Sequence, residues 1–215
     1  MPNYPRVGGR GSGGLGYGVL GRICYASGGA AETPFHEERG RGMETRNRTT
    51  LFRGLVVDVE QMEVKFGEKG WHFYQIVRHP GGVGVLPLHE DGTVTLIRQL
   101  RPAVGSRLLE VPAGRLAPGE DPQVCGRREL AEETGLRANT ILSLGKYHSS
   151  PGVFDETIHL FLATGLTQKE ANPEQYEEIG SIRIPFEQAR RMAMSGEIMD
   201  GKTVVALFRA GGTKV

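Results

Sequence analysis

Cysteine is nearly absent from this chain. Only Cys24 and Cys125 occur in 215 residues, far apart and without a CxxC, which argues against a disulfide framework and a thiolate zinc site. Long apolar runs are missing as well. None approaches the roughly 18 residues of a membrane-spanning helix, and no basic stretch followed by an uninterrupted apolar segment marks a secretory leader near the first residues. Nor is there an excess of one charge. Lys and Arg number 26 against 25 Asp and Glu, a net charge of +1, so the basic surface by which proteins hold nucleic acid is not provided. These absences predict an ordinary soluble protein of a reducing cytoplasm, with no nucleic acid and no membrane among its partners. A length of 215 residues suits one domain, or one domain with a smaller module.

What is present is unevenly distributed. Residues 1–42 are rich in Gly with scattered Arg and Ser and almost no periodic apolar pattern, the composition of a disordered tail. The segment GSGGLG, Gly11 to Gly16, formally matches GxGxxG, but no strand precedes it and no amphipathic helix follows, so it reads as a chance match. Ordinary composition begins at Met43, and folding is expected to start near that residue. From Leu51 the chain alternates β-like runs with turns: LFRGLVVDVEQMEV, WHFYQIVRH and VGVLPLHEDGTVTLIRQLR. Asp91-Gly92 between two apolar runs signals a hairpin. Further strands are expected around Ser143 to His148 and in ETIHLFLATGL. A helix is expected over Pro185 to Ser195 from the spacing of Ala189, Met192 and Ala193, and a final helix or strand over about Thr203 to Phe208.

The most informative stretch is GRLAPGEDPQVCGRRELAEETGL, Gly114 to Leu136. Asp121-Pro122 starts a helix, with Asp as N-cap and Pro at the first helical position, and Gly135 stops it. On that helix Glu129, Glu132 and Glu133 fall within roughly 100° of one another, while Val124, Leu130 and Ala131 are expected to meet the core. The like-charge pairs Glu129 with Glu132 and Glu129 with Glu133 should each destabilise an isolated helix by about 0.2–0.5 kcal/mol. A hard divalent cation would favour the arrangement, because Mg²⁺ takes oxygen ligands and bridges carboxylates to substrate phosphate. The competing reading is a solvated acidic face with Arg128 paired to Glu132.

Gly114, Glu120, the Arg128-Glu129 pair, the Glu132-Glu133 pair and the final Gly135-Leu136 fall at the intervals of the Nudix box, and every constrained position of that signature is met. The chain resembles the Nudix hydrolases over about residues 50 to 210. The resemblance implies an α+β fold, a Nudix α/β/α sandwich with a mixed β-sheet, over residues 81–215, preceded by a small N-terminal antiparallel sheet region over 43–80. SPGVFDE from Ser150, with RQLRPAV from Arg98, LLEVPAG from Leu108 and GEIMDGKTVVAL from Gly196, resembles the ADP-ribose pyrophosphatase subfamily. In that subfamily the N-terminal strands form homodimers, so a homodimer is implied here.

Carried onto these positions, the resemblance implies Glu129 and Glu133 as principal Mg²⁺ ligands, with Mn²⁺ an alternative metal. Glu132 is a further ligand, direct or through water, and the Ala113 carbonyl another. Glu120 and Arg128 orient the carboxylates, and Gly114 and Gly135 serve the backbone. Glu156 resembles the loop carboxylate that acts as general base, with Asp155 beside it as the alternative. Arg98 and Arg101 resemble arginines that contact phosphate or terminal ribose, or are solvated strand residues; Glu110 and Pro151 belong to the same substrate-binding segments. Trp71, Phe73 and Tyr74 offer adenine-stacking faces, although core packing is expected for at least two of them. His148, beside the SPG segment, is the histidine nearest this loop, and a structural or surface role is expected of each histidine.

The implied substrate is a nucleoside diphosphate sugar, with ADP-ribose cleaved to AMP and ribose 5-phosphate. GDP-mannose, NADH or a dinucleoside polyphosphate is the rival substrate, and a non-catalytic ADP-ribose sensor is the rival of another class. GEIMDGKT also matches the P-loop pattern GxxxxGK[ST], but the helix-like EQARRMAMS before it leaves no strand for a P-loop to follow.

Overall fold

The computed structural model describes residues 43–169 and 180–212. The Gly-rich segment 1–42, with Cys24 and GSGGLG, lies outside the described residues. The described chain runs β1 (Thr45–Arg53), β2 (Asp58–Lys65), β3 (Trp71–Arg78), β4 (Gly82–Pro87), β5 (Thr93–Arg101), β6 (Ser106–Glu110), β7 (Ala113–Arg115), α1 (Pro122–Thr134), β8 (Leu136–His148), β9 (Thr157–Gln168), β10 (Gly180–Pro185), α2 (Phe186–Ser195) and α3 (Gly201–Ala210).

Every residue of β4 is buried, as expected of a strand covered on both faces. It lies inside a four-stranded sheet of order β7-β4-β9-β8, parallel to β9 and antiparallel to β7. Side chains alternate across this sheet. Val83 and Val85 of β4, with Phe161 and Ala163 of β9, pack with Cys125 and Leu130 of α1. Leu86, Leu160 and Leu162 pack instead with Ala189, Ala206 and Leu207 of α2 and α3. One helix on one face and two on the other make the expected sandwich around a mixed sheet. A second sheet, β10-β5-β6, contributes Val94 and Leu96 to the α2 and α3 side.

Three expectations are corrected. The Asp91-Gly92 turn forms, with Gly92 at φ 76° and the His89 N–H donating to the Thr93 carbonyl at 2.9 Å. The ladder beyond it does not: β4 and β5 share only the Leu88–Val94 bridge. Both edges of β4 are already taken by β7 and β9, and both edges of β5 by β10 and β6, so the strands part into two sheets. On α1, Val124 is 58% exposed, because it lies about 200° around the helix from the buried Gly126; the buried residues are Cys125, Gly126, Leu130, Glu133 and Thr134. Finally, the β3 aromatics do not enter the core. Phe73 and Tyr74 are exposed, and Trp71 carries the Arg46 guanidinium 4.2 Å above its ring.

The physical reason for the last point is that β3 belongs to a separate antiparallel sheet, β1-β2-β3, the small N-terminal sheet that the resemblance implies. Its β1 is exposed along its whole length. The last expected segment resolves as a helix, α3, capped by Asp200, whose carboxylate accepts from the Thr203 N–H at 3.0 Å.

Candidate active site

The local chemistry of the helix start is as the sequence predicts. The Asp121 carboxylate accepts from the N–H groups of Gln123 at 2.8 Å and Val124 at 3.1 Å, satisfying two donors that the first turn leaves open. At the other end Gly135 adopts the left-handed conformation, φ 70°, and its N–H closes on the Ala131 carbonyl; a residue with a Cβ would be strained there. Between these ends, α1 faces the short strand β7. The Ala113 N–H donates to Glu133 Oε2 at 2.9 Å, which fixes β7 over the buried Glu133. The next residue, Gly114, lies directly against Glu129: a Cβ at position 114 would overlap the Glu129 carboxylate. That close approach is why the position requires Gly.

Arg128 is the electrostatic hub of this surface. Its guanidinium reaches Glu120 at 3.2 Å, Glu129 at 2.7 Å and Glu132 at 3.0 Å. Arg128 thus contacts Glu120 and Glu129, and the Arg128–Glu132 pair of the competing reading is also formed. Hydrogen bonds from Arg128, and from the Ala117 N–H, hold the Glu120 carboxyl down at about 2; the Glu120 bond in turn raises the arginine above its ordinary range. Cys125, buried below, is pushed up to about 12 chiefly by burial, so it is an inert thiol rather than a nucleophile.

In front of Glu129 opens a cavity of about 690 Å³. Glu129, Ala113, Gly114 and Arg128 line one wall, and Glu156 with His79 and Ser149 lines another. His79 Nδ1 stands 3.3 Å from Glu156 Oε1. Asp155 points away: its carboxylate accepts from Arg78 Nη1 and from the His79 N–H, both at 2.9 Å, and it lines a separate cavity of about 370 Å³. Of the two adjacent acids only Glu156 faces Glu129.

A third wall comes from β5 and the start of α3. Gln99 and Arg101 line it, whereas Arg98 is exposed on the opposite face of β5, as the two-residue period of a strand requires. Arg101 makes a two-pronged contact with Glu110, Nε to Oε1 at 2.8 Å and Nη2 to Oε2 at 2.7 Å. Lys202 bonds the same carboxylate and reaches Asp200 at 3.0 Å. Burial alone would raise the Glu110 carboxyl, but the bonds and charges of Arg101 and Lys202 outweigh it and lower it overall. Glu110 thus lies beneath the cavity as the anion that holds two cations at its surface. Tyr147 completes this side, its phenol pushed up to about 12 by burial and then by the charges of Asp200 and Glu156, so it stays a hydrogen-bond donor.

Among the expected site residues, Glu129, Glu156, Arg128, Arg101, Ala113 and Gly114 meet in one cavity. Glu120 and Glu132 pair with Arg128, Glu133 accepts from the Ala113 N–H, and Glu110 holds Arg101 and Lys202, so each touches a lining residue without lining the cavity itself. Arg98 does not line it, nor does Pro151, which lines the smaller cavity. His79, Tyr147, Asp200 and Lys202 escaped the sequence reading. Lys202 and Asp200 lay in the GEIMDGKT segment; α2 does precede it, as expected, but its charged residues still reach the site. His148 is exposed, with Nδ1 3.1 Å from the Thr157 hydroxyl.

Among the described residues, no group of three His, Cys, Asp or Glu side chains is gathered closely enough to hold a metal ion. Arg128 binds Glu129 and Glu132, and the Ala113 N–H binds Glu133. The donors nonetheless fit a hard cation that keeps several waters: oxygens on one helix face, with the Gly114 cradle leaving room for the Glu129 carboxylate alone.

Residues 78–203 match the NUDIX domain family. Over 170 residues the chain is 33% identical to an ADP-ribose pyrophosphatase of Bacillus subtilis, covering 76% of this chain and 90% of that protein. Over 153 residues it is 36% identical to a GDP-mannose pyrophosphatase of Escherichia coli, covering 66% and 80%. The fold matches a solved structure described as an ADP compounds hydrolase, with a TM-score of 0.70 and 23% identity over 80% of this chain and 94% of that one. With the box geometry and the sandwich in place, the chain belongs to the Nudix family and is a hydrolase of that type.

Proposed function

We propose that this chain hydrolyses the diphosphate of ADP-ribose, or of a closely similar nucleoside diphosphate sugar, to AMP and ribose 5-phosphate, with Mg²⁺ as its metal and Mn²⁺ as the alternative. The observation that carries this reading is that Glu129 and Glu156 face one cavity whose remaining rim includes Arg101, Arg115, Arg128 and Lys202. Three carboxylates, Glu129, Glu156 and the Lys202-paired Asp200, among four cations suit a bound diphosphate beside a water that must lose a proton. The Bacillus subtilis relative supports ADP-ribose as the first substrate to try.

In this reading Glu129 and Glu133 hold the metal, with Glu132 and the Ala113 carbonyl as further oxygen donors. Bound there, a divalent cation supplies neutralisation of the diphosphate charge. Arg128 and Glu120 fix the Glu face by the contacts described. Glu156 accepts a proton from the attacking water, and Asp155, tied to Arg78 and His79, does not. Arg101 and Lys202, held by Glu110, present positive charge to the phosphates or terminal sugar; Tyr147 donates a hydrogen bond beside them.

The exposed apolar residues of β1 and β3, among them Phe52 and Phe73 at 57% and 70% exposure, support a homodimer that covers this sheet. Among the described residues no helix is long and apolar enough to cross a membrane, and Cys125 is a buried free thiol, which agrees with a reducing cytoplasm.

The test is a substrate panel of ADP-ribose, GDP-mannose, NADH and diadenosine polyphosphates, compared by kcat/KM. ADP-ribose is expected to lead. GDP-mannose, the substrate in the name of the Escherichia coli relative, is the second reading, and its lead by tenfold or more would replace the first. Binding of ADP-ribose without cleavage of any member would favour a sensor.

A further inference from the structure

Glu156 reaches the cavity on a loop with little packing of its own: Pro151, Gly152 and Val153 are all exposed. The loop is held instead by the end of β3. The Val77 N–H donates to the Val153 carbonyl at 2.8 Å, and the Asp155 N–H donates back to the Val77 carbonyl at 3.1 Å, a parallel bridge between Val77 and Phe154. Next along β3, Arg78 Nη1 donates to Asp155 Oδ2, while the His79 N–H donates to Oδ1, each at 2.9 Å. The His79 ring lies 5.4 Å from that of Phe154 and 3.3 Å from Glu156 at its Nδ1. Val77 and Arg78 at the end of β3, with His79 just after it, thus grip four consecutive residues of the loop.

Arg78 also looks the other way. Its Nε donates to Glu60 of β2 at 2.8 Å, and Glu60 lies 3.6 Å from Arg48 of β1. Alternating charges therefore run from β1 through β2 and β3 onto the loop, with the Arg78 guanidinium at the crossing. Its pairing with Asp155, then Glu60, raises it above its ordinary range. A guanidinium can serve both acids at once, through Nε and Nη1; an ammonium offers a single point of charge. The same loop divides the two cavities, with Glu156 on the larger and Asp155 on the smaller, so a shift of Asp155 displaces Glu156 with it.

We infer that Arg78 is a positioning residue for Glu156: through Asp155 it sets where the proton-accepting carboxylate stands, and it makes the N-terminal sheet part of the reaction machinery. This rests on the reading of Glu156 given above. The test is a double-mutant cycle in kcat on the full chain with ADP-ribose, using R78Q and E156Q alone and together, and R78K and D155N as gentler variants, each first checked by thermal melting. R78Q is expected to lower kcat about tenfold with KM within about twofold, as for misplacement of a reacting group without loss of binding. R78K and D155N should fall between R78Q and wild type. In the E156Q background R78Q should cause no further loss, because the group it positions is gone. A tenfold loss that persists in the E156Q background overturns the inference and leaves the base assignment standing. Near-normal turnover by E156Q alone removes the base assignment and the inference together.

Discussion

Replacing Gly114 by Ala adds one methyl group at a position whose backbone is not in the left-handed region, so the backbone itself is not strained and any gain of about 0.4–1 kcal/mol through the unfolded chain is offset by the displaced Glu129. Its effect should fall on Glu129. The added Cβ would overlap the carboxylate carbon and both of its oxygens. Since unstrained heavy atoms approach to roughly 3.5 Å, the carboxylate must swing aside by at least about 1 Å. It is a flexible group, so the swing itself is inexpensive, but it takes with it the Arg128 contact at 2.7 Å and the oxygen proposed to hold the metal. A displacement of that size at a reacting centre costs on the order of 10²-fold in rate, or about 2.7 kcal/mol of transition-state stabilisation. The assay is steady-state hydrolysis of ADP-ribose at saturating Mg²⁺, paired with thermal melting. G114A is expected to lose about 10²-fold in kcat while still melting cooperatively as a folded protein, and calorimetry should show Mg²⁺ binding weakened by about 10–100-fold. Turnover within about threefold of wild type would show that the position of Glu129 is not critical to the reaction.

Other perturbations read other parts of the site. E156Q should lower kcat by about 10²–10⁴-fold, as for loss of a general base, whereas D155N should cost far less; the reverse order in a kinetic comparison would exchange their roles. Glu120, held at about 2 from an ordinary value of 4.5, contributes stability that is present above that ordinary value and is lost as pH falls through about 2. E120Q should therefore melt below wild type at neutral pH, with the two curves converging toward pH 2; a gap that is unchanged at pH 2 would contradict the pairing with Arg128. E110A removes a fully buried anion from between Arg101 and Lys202, and denaturant unfolding should show a loss of about 3 kcal/mol, the lower end for a broken buried pair because Asp200 still holds Lys202. A loss below about 1 kcal/mol would show the two cations to be well solvated without it.

Much of this was legible in the sequence because it is local. The cap residues Asp121 and Gly135, and the spacing of Glu129 to Glu133, act within one helix, and a helix of known period needs no partner to be drawn. Strand runs before and after that helix suit a mixed sheet covered by helices, and the sandwich itself came from the Nudix resemblance. What escaped depends on contacts between distant segments. Nothing near Val124 marks which side of α1 meets the sheet, and apolar character alone pointed the wrong way. Asp91-Gly92 specifies a turn but not whether the flanking strands stay paired, which β7 and β10 decide from far along the chain. The resemblance favours Glu156 over its neighbour Asp155, but only the fold ties Asp155 to Arg78, 77 residues earlier, and turns Glu156 to the larger cavity. His79 and Lys202 approach the cavity only through the packing of β3 and α3 around it.

The most direct single measurement is ADP-ribose turnover by the wild-type protein with Mg²⁺ and with excess chelator, resolving AMP and ribose 5-phosphate by chromatography. Rapid conversion to those two products is expected with the metal, and a loss of at least about 10²-fold when it is withdrawn, the size expected for removal of charge stabilisation in a site of this kind. Equal turnover in both conditions would contradict the metal site on the Glu129 face, and no cleavage in either would contradict ADP-ribose hydrolysis itself.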